Sequence, residues 1–180
     1  MKRLIFLLTI TTVLIGCTSS KDKNLNQTVT HEDSIMLLGE VNRDGLKMKA
    51  FDSWFGPGYN DYQPKPEVIE ELKPLMKDVE ITVFLGTWCE DSHRDIPDFF
   101  RVLDEVDFNE SRLTMYAVDE EKVTPEKEVQ AYDIKQVPTF IFYRDGEEIN
   151  RIVEYSMYSL EQDMLDILSG KNYINPYSDF

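Results

Sequence analysis

Cysteine is scarce in this chain. Cys17 and Cys89 are the only two in 180 residues, which excludes a disulfide-stapled scaffold. With only His31 and His93 to supply imidazole, a zinc site built on cysteine pairs is excluded as well. Basic residues are also few: 19 Lys and Arg stand against 34 Asp and Glu, for a formal net charge of −15. Such a chain repels phosphates, and no run of Lys or Arg forms a basic stripe, so nucleic acid is not an expected partner. Glycine and proline number eight each and follow no period, which removes collagen-like and solenoid architectures. What is present suits one globular domain: 42% of residues are hydrophobic and 12% aromatic, enough for a core at this length.

The first residues read as a targeting segment. Lys2 and Arg3 precede a 12-residue apolar stretch from Leu4 to Ile15, interrupted only by threonines. It is shorter than the roughly 20 residues that span a bilayer and has the layout of a secretion signal. It ends in Leu14-Ile15-Gly16-Cys17, which resembles the lipobox of bacterial lipoproteins. That resemblance implies removal of residues 1–16, lipidation of Cys17, and a mature chain held at the cell envelope, facing the periplasm or the cell exterior. An ordinary signal peptide with an incidental cysteine is the alternative. Thr18 stands where some lipoproteins carry an inner-membrane retention Asp, which favours the outer membrane. Residues 17–33 are expected to be a polar tether, and two or more acyl chains would hold the protein to the membrane stably. Lipidation would take Cys17 out of thiol chemistry. Cys89 would then be a single free thiol in a compartment where disulfides persist, able to form a disulfide only with another molecule.

Residues 34–78 are expected to pack on the core as an N-terminal extension. Ile35 to Val41 and Leu46 to Phe51 flank Asn42-Arg43-Asp44-Gly45, which predicts a hairpin. Ser53 to Pro66 carries Trp54, Phe55, Tyr59 and Tyr62 among glycines and prolines and reads as a structured loop, its rings packing the extension or walling a substrate groove. A short helix is expected from Pro66 to Pro74. From residue 80 the pattern sharpens. Ile81 to Leu85 and Leu113 to Val118 predict buried strands. Ile96, Phe99, Phe100, Leu103 and Val106 recur at helical spacing, and Thr124-Pro125 opens a predicted helix to about Tyr132. Thr139 to Tyr143 and Glu148 to Val153 flank a turn at Asp145-Gly146. Ser159 and Gln162 make a capping box before a last helix that stops at Gly170. The predicted fold class is α/β, a mixed central sheet flanked by helices.

This order, with Trp88-Cys89 at a strand-to-helix turn and Val137-Pro138-Thr139 before the third core strand, resembles the thioredoxin-like superfamily. The resemblance covers residues 79–170, with 171–180 as a C-terminal tail. Trp88-Cys89-Glu90-Asp91-Ser92 occupies the place of the family's Trp-Cys-x-x-Cys motif, and Pro97 matches its helix-kinking proline. Tyr132 to Thr139 matches the segment with the family's cis-proline, here Pro138. The resemblance implies a site in which Cys89 and Ser92 are catalytic while Trp88, Val137 and Pro138 bind substrate. It implies no cofactor and no metal. The partners it implies are a thiol- or disulfide-containing protein or a small thiol.

Three departures qualify that expectation. Ser92 replaces the second cysteine, and a hydroxyl cannot resolve a mixed disulfide by internal attack. Val83 stands where many thioredoxins carry a buried acid, and Glu154 where they often carry glycine. A sulfur at a helix start faces unpaired N–H groups that favour an anion, with Ser92 expected to turn its hydroxyl toward it, while Glu90 and Asp91 act in the opposite sense. His93 is expected to be solvated, as are Glu120, Glu121, Glu126 and Glu128. The leading functional expectation is a monothiol exchange protein acting through intermolecular mixed disulfides. Its rival is a non-catalytic thioredoxin-fold module that binds extended peptides or a protein partner.

Overall fold

The computed structural model describes residues 24–31 and 34–178. Strands β1 (Thr28–His31) and β2 (Ser34–Leu37) pair antiparallel as a separate two-stranded ribbon. The main sheet has five strands: β3 (Gly39–Val41), β4 (Val79–Leu85), β5 (Leu113–Ala117), β6 (Thr139–Arg144) and β7 (Glu147–Val153). Their order is β3-β5-β4-β6-β7. β4 and β5 run parallel, and every other neighbouring pair is antiparallel. The helices are α1 (Arg43–Leu46), α2 (Phe55–Asp61), α3 (Pro66–Leu72), α4 (Glu90–Glu105) and α5 (Leu160–Leu168).

Alternation along the central strands divides the interior into two cores, because successive residues of a strand face opposite sides of the sheet. Ile81, Val83 and Leu85 of β4 and Phe140 and Phe142 of β6 pack with Ile96, Phe99, Phe100 and Leu103 of α4 and with α3 and α5. Phe84 and Ile141 face the other way and join Val118, Val129 and Val137 in a smaller core. That second face is covered by a 3-10 helix, Lys127–Tyr132. Leu37, Val41, Leu46, Phe51 and Phe55 belong to the larger core, so residues 36–55 contribute to the same interior as the sheet.

Several local expectations are corrected. Residues 43–46 form a helical turn rather than a hairpin, since Asn42 Oδ1 accepts the N–H groups of Asp44 and Gly45 at 3.1 and 3.2 Å, a cap that outweighs the Asp-Gly turn signal. Gly45 serves close packing there, because a Cβ would lie 2.2 Å from the Asn26 amide oxygen. The segment 53–66 contains helix α2, and the end of the expected 17–33 tether forms strand β1. The helix expected after Pro125 is only the 3-10 stretch. Ser159 is the N-cap of α5 without a side-chain capping bond, so the capping box does not form. The N–H groups of Met157 and Tyr158 go instead to the Asp163 carboxylate. The Asp145-Gly146 hairpin is as expected, with φ of 55° and 80° at the two turn residues.

Candidate functional site

The site is built where β4 ends and α4 begins. After Leu85 the chain turns through Gly86-Thr87-Trp88, and the Cys89 N–H closes the turn onto the Gly86 carbonyl at 3.0 Å. Cys89 is the N-cap of α4, in extended geometry, and is partly exposed. Its Sγ–H donates to the Val137 carbonyl at 3.3 Å. The Val137–Pro138 peptide is cis. The Pro138 carbonyl accepts the Glu154 N–H at 2.8 Å, and Arg94, one turn beyond Cys89, reaches the Glu154 carbonyl at 3.4 Å. Glu154 itself sits at φ 67°, a left-handed conformation that favours glycine. The start of α4, the entry to β6 and the exit from β7 therefore meet around one sulfur.

The expected residues Cys89, Trp88, Val137 and Pro138 come together here. Trp88 is held by its Nε1–H, which donates to the Val118 carbonyl at 2.9 Å, and its ring lies over Gly86. Ser92 is nearby, but its role differs from expectation. It is fully buried, and its Oγ accepts the Gly86 N–H at 3.1 Å, a bond that steadies the turn. The sulfur bonds to Val137.

His93 also departs from expectation. Its ring stacks on Trp54, with centroids 4.5 Å apart, and its Nε2 lies 2.8 Å from the Thr87 carbonyl, so it is a structural imidazole rather than a solvated one. Thr87 is bound from both sides, since its Oγ1 accepts the Leu37 N–H at 3.0 Å. Strand β2 and the Trp54 segment therefore grip the residues just before Cys89. A cavity of about 640 Å³ lies among them, with Trp54, Trp88, Thr87 and His93 in its wall. Thr87 was not identifiable from sequence. Trp54 packs against the larger core, as one of its two expected roles has it, and it also lines this cavity.

The electrostatics around α4 are acidic. Asp91 and Asp95 hold Arg94 at 2.7 and 2.6 Å. Burial, and after it the neighbouring Asp95 charge, pushes the Asp98 carboxyl up to about 7. Glu161, 2% exposed, is held below the ordinary range: burial pushes it upward, but hydrogen bonds led by the Tyr62 hydroxyl outweigh that.

No family model matches the chain. A thioredoxin-like protein of Acanthamoeba polyphaga mimivirus is 28% identical over 90 residues, 50% of this chain and 63% of that protein. The TPR repeat-containing thioredoxin TDX of Arabidopsis thaliana is 31% identical over 91 residues, 51% of this chain and 22% of that one. The chain thus spans less than two thirds of either curated relative. Among solved structures, a protein of unknown function from Pseudomonas aeruginosa superposes with a TM-score of 0.51 at 11% identity, covering 66% of this chain and 84% of its own. The fold is thioredoxin-like. The two sequence relatives support the same superfamily. Among the described residues Cys89 is the free cysteine.

Proposed function

We propose that the protein is an extracytoplasmic, lipid-anchored thioredoxin-like protein that exchanges disulfides through Cys89 alone. The observation that carries the reading is the position of the sulfur, partly exposed at the head of α4 and 3.3 Å from the Val137 carbonyl. In the first step the Cys89 thiolate attacks one sulfur of a client disulfide. The client S–S bond breaks, a Cys89–client S–S bond forms, and the other client sulfur leaves as a thiolate that takes up a proton. Ser92 offers no second thiol, so a small external thiol completes the cycle. Its thiolate attacks the Cys89 sulfur and frees the client thiol, and a second such thiol then releases Cys89, leaving the small thiol oxidised as its disulfide. Trp88 and the Val137-Pro138 segment would hold the client in extended form beside the sulfur. Lipidation of Cys17 lies outside the described residues and rests on the Leu14 to Cys17 pattern.

The second reading, a binding module without turnover, is favoured by one observation: the Cys89 thiol already donates to Val137. Trapping in the source cell separates the two. Acid-quenched, alkylated extracts of wild type should show reductant-sensitive complexes of this protein that vanish in Cys89→Ala. Complexes identical in both strains would overturn exchange and leave binding. Metabolic labelling with palmitate, lost in Cys17→Ser, tests the anchor, and an unlabelled wild type would refute it.

A further inference from the structure

The cavity beside the motif lies between the N-terminal extension and the turn that leads to Cys89. Its wall includes Ile35 and Met36 of β2, Trp54, Trp88, His93 and, from the loop after β5, Glu120. The wall is built rather than incidental. Trp54 is fixed by stacking on His93, His93 by Thr87, and Thr87 by the backbone of β2, while Trp88 is fixed by Val118. Trp88, in the wall, directly precedes Cys89 in the chain, which puts the cavity next to the segment that carries the sulfur.

We propose that this cavity is a client side-chain pocket that takes a lysine or arginine close to the client's reacting cysteine. The inference rests on the exchange reading for the position of that cysteine. Three features select a cation. Two indoles line the wall, and an indole attracts a positive charge placed over its ring face. Glu120 is exposed, and among the described residues no hydrogen bond or ion pair engages its carboxylate, so it is available to an incoming charge. Ile35, 52% exposed, offers an apolar surface for the aliphatic stem of such a side chain. An anionic side chain would meet Glu120 and a chain of net charge −15. A purely apolar one would cover that carboxylate without giving it a partner.

The test uses the full chain in non-ionic detergent and extended peptides whose single cysteine is a mixed disulfide with thionitrobenzoate. Attack by Cys89 on the peptide sulfur breaks that bond, and the coloured thionitrobenzoate leaves with the electron pair. The peptides carry lysine, norleucine or glutamate two residues from the cysteine. The lysine peptide should react about tenfold faster than the norleucine peptide, and the glutamate peptide slowest. Glu120→Gln should reduce the lysine advantage to about two- to threefold. Glu67→Gln, which removes the same charge from the exposed side of α3, should leave it intact. Equal rates for lysine and norleucine would overturn the proposal. So would an equal loss in Glu67→Gln and Glu120→Gln, which would assign the preference to the field of the whole molecule. If an uncharged aromatic disulfide also fails to react with Cys89, the exchange reading has failed, and the pocket is scored by binding alone. The same peptides with serine for cysteine are then titrated against the fluorescence of Trp54 and Trp88, the chain's only tryptophans, both in the cavity wall. A lysine preference removed by Glu120→Gln upholds the pocket, and no preference overturns it.

Discussion

Replacing Ser92 by alanine separates support of the backbone from chemistry at the sulfur. The Ser92 hydroxyl is fully buried and accepts the N–H of Gly86, itself buried, at 3.1 Å. Alanine nearly matches the volume of serine but leaves that N–H in the interior with no acceptor, at a cost of about 1–3 kcal/mol. At about 2–4 °C per kcal/mol for a chain of this size, Tm should fall by about 2–12 °C. The bond partners Gly86 and not Cys89, so the rate at which iodoacetamide alkylates native Cys89 should change by less than about threefold. Urea unfolding gives the stability and a timed alkylation series gives the rate. An unchanged unfolding midpoint together with a tenfold change in alkylation would refute the assignment, because Ser92 would then be acting on the sulfur.

Three further outcomes are expected. Ser92→Cys places a second thiol one helical turn from Cys89; it should form an internal disulfide and reduce a test disulfide with turnover, and a variant that gains neither would show that the groove does not support exchange. Asp98 binds its proton more tightly when folded, near 7, than in the unfolded chain near about 3.9. Its contribution is therefore intact below about pH 4 and lost as the pH rises through 7, so Asp98→Asn should gain about 1 kcal/mol over wild type at pH 8.5 and much less at pH 5. A larger gain at pH 5 in denaturant titrations would reverse that reasoning. Tyr62→Phe leaves the Glu161 carboxylate with the Lys65 N–H at 3.3 Å but without the phenol, and should cost about 1.5–3 kcal/mol in the same titrations; a loss below about 0.5 kcal/mol would mean that solvent replaces the tyrosine.

The core was legible in the sequence because its signals are periodic and mutually consistent. The run Ile81 to Leu85 and the helical spacing from Ile96 to Val106 each have one economical burial. The turn at Asp145-Gly146 needs two left-handed residues, and the chain provides them. The N-terminal third was harder, because its outcome depends on contacts distant in the chain. Asp44-Gly45 became a helix start because Asn42 could cap it and Asn26 could pack against a residue lacking a Cβ. At the site, Cys89, Trp88, Val137 and Pro138 are brought together by strand order and were readable as a motif. The partners of Ser92 and His93 were not, since a buried serine beside a sulfur and one beside a backbone N–H look the same in one dimension. Thr87 carried no signal, because what makes it matter is the Leu37 N–H, 50 residues away.

Both edge strands of the main sheet have other parts of the chain beside them. On one side β3 is three residues long, and its Glu40 carbonyl takes the Asn26 N–H. On the other, the seven-residue β7 is flanked by the C-terminal segment, held by Asn150 to the Tyr173 carbonyl, by the Tyr173 hydroxyl to Asp163, and by the Tyr177 hydroxyl to Glu154. An uncovered strand of that length is a template on which a second copy can add its own strand. Residues 173–177 thus act as a selvedge that keeps the weave from running on into a neighbour. A chain ending at Gly170 would keep Cys89 but lose that border, together with the Tyr177 bond to Glu154, and it should associate sheet to sheet in concentrated solution.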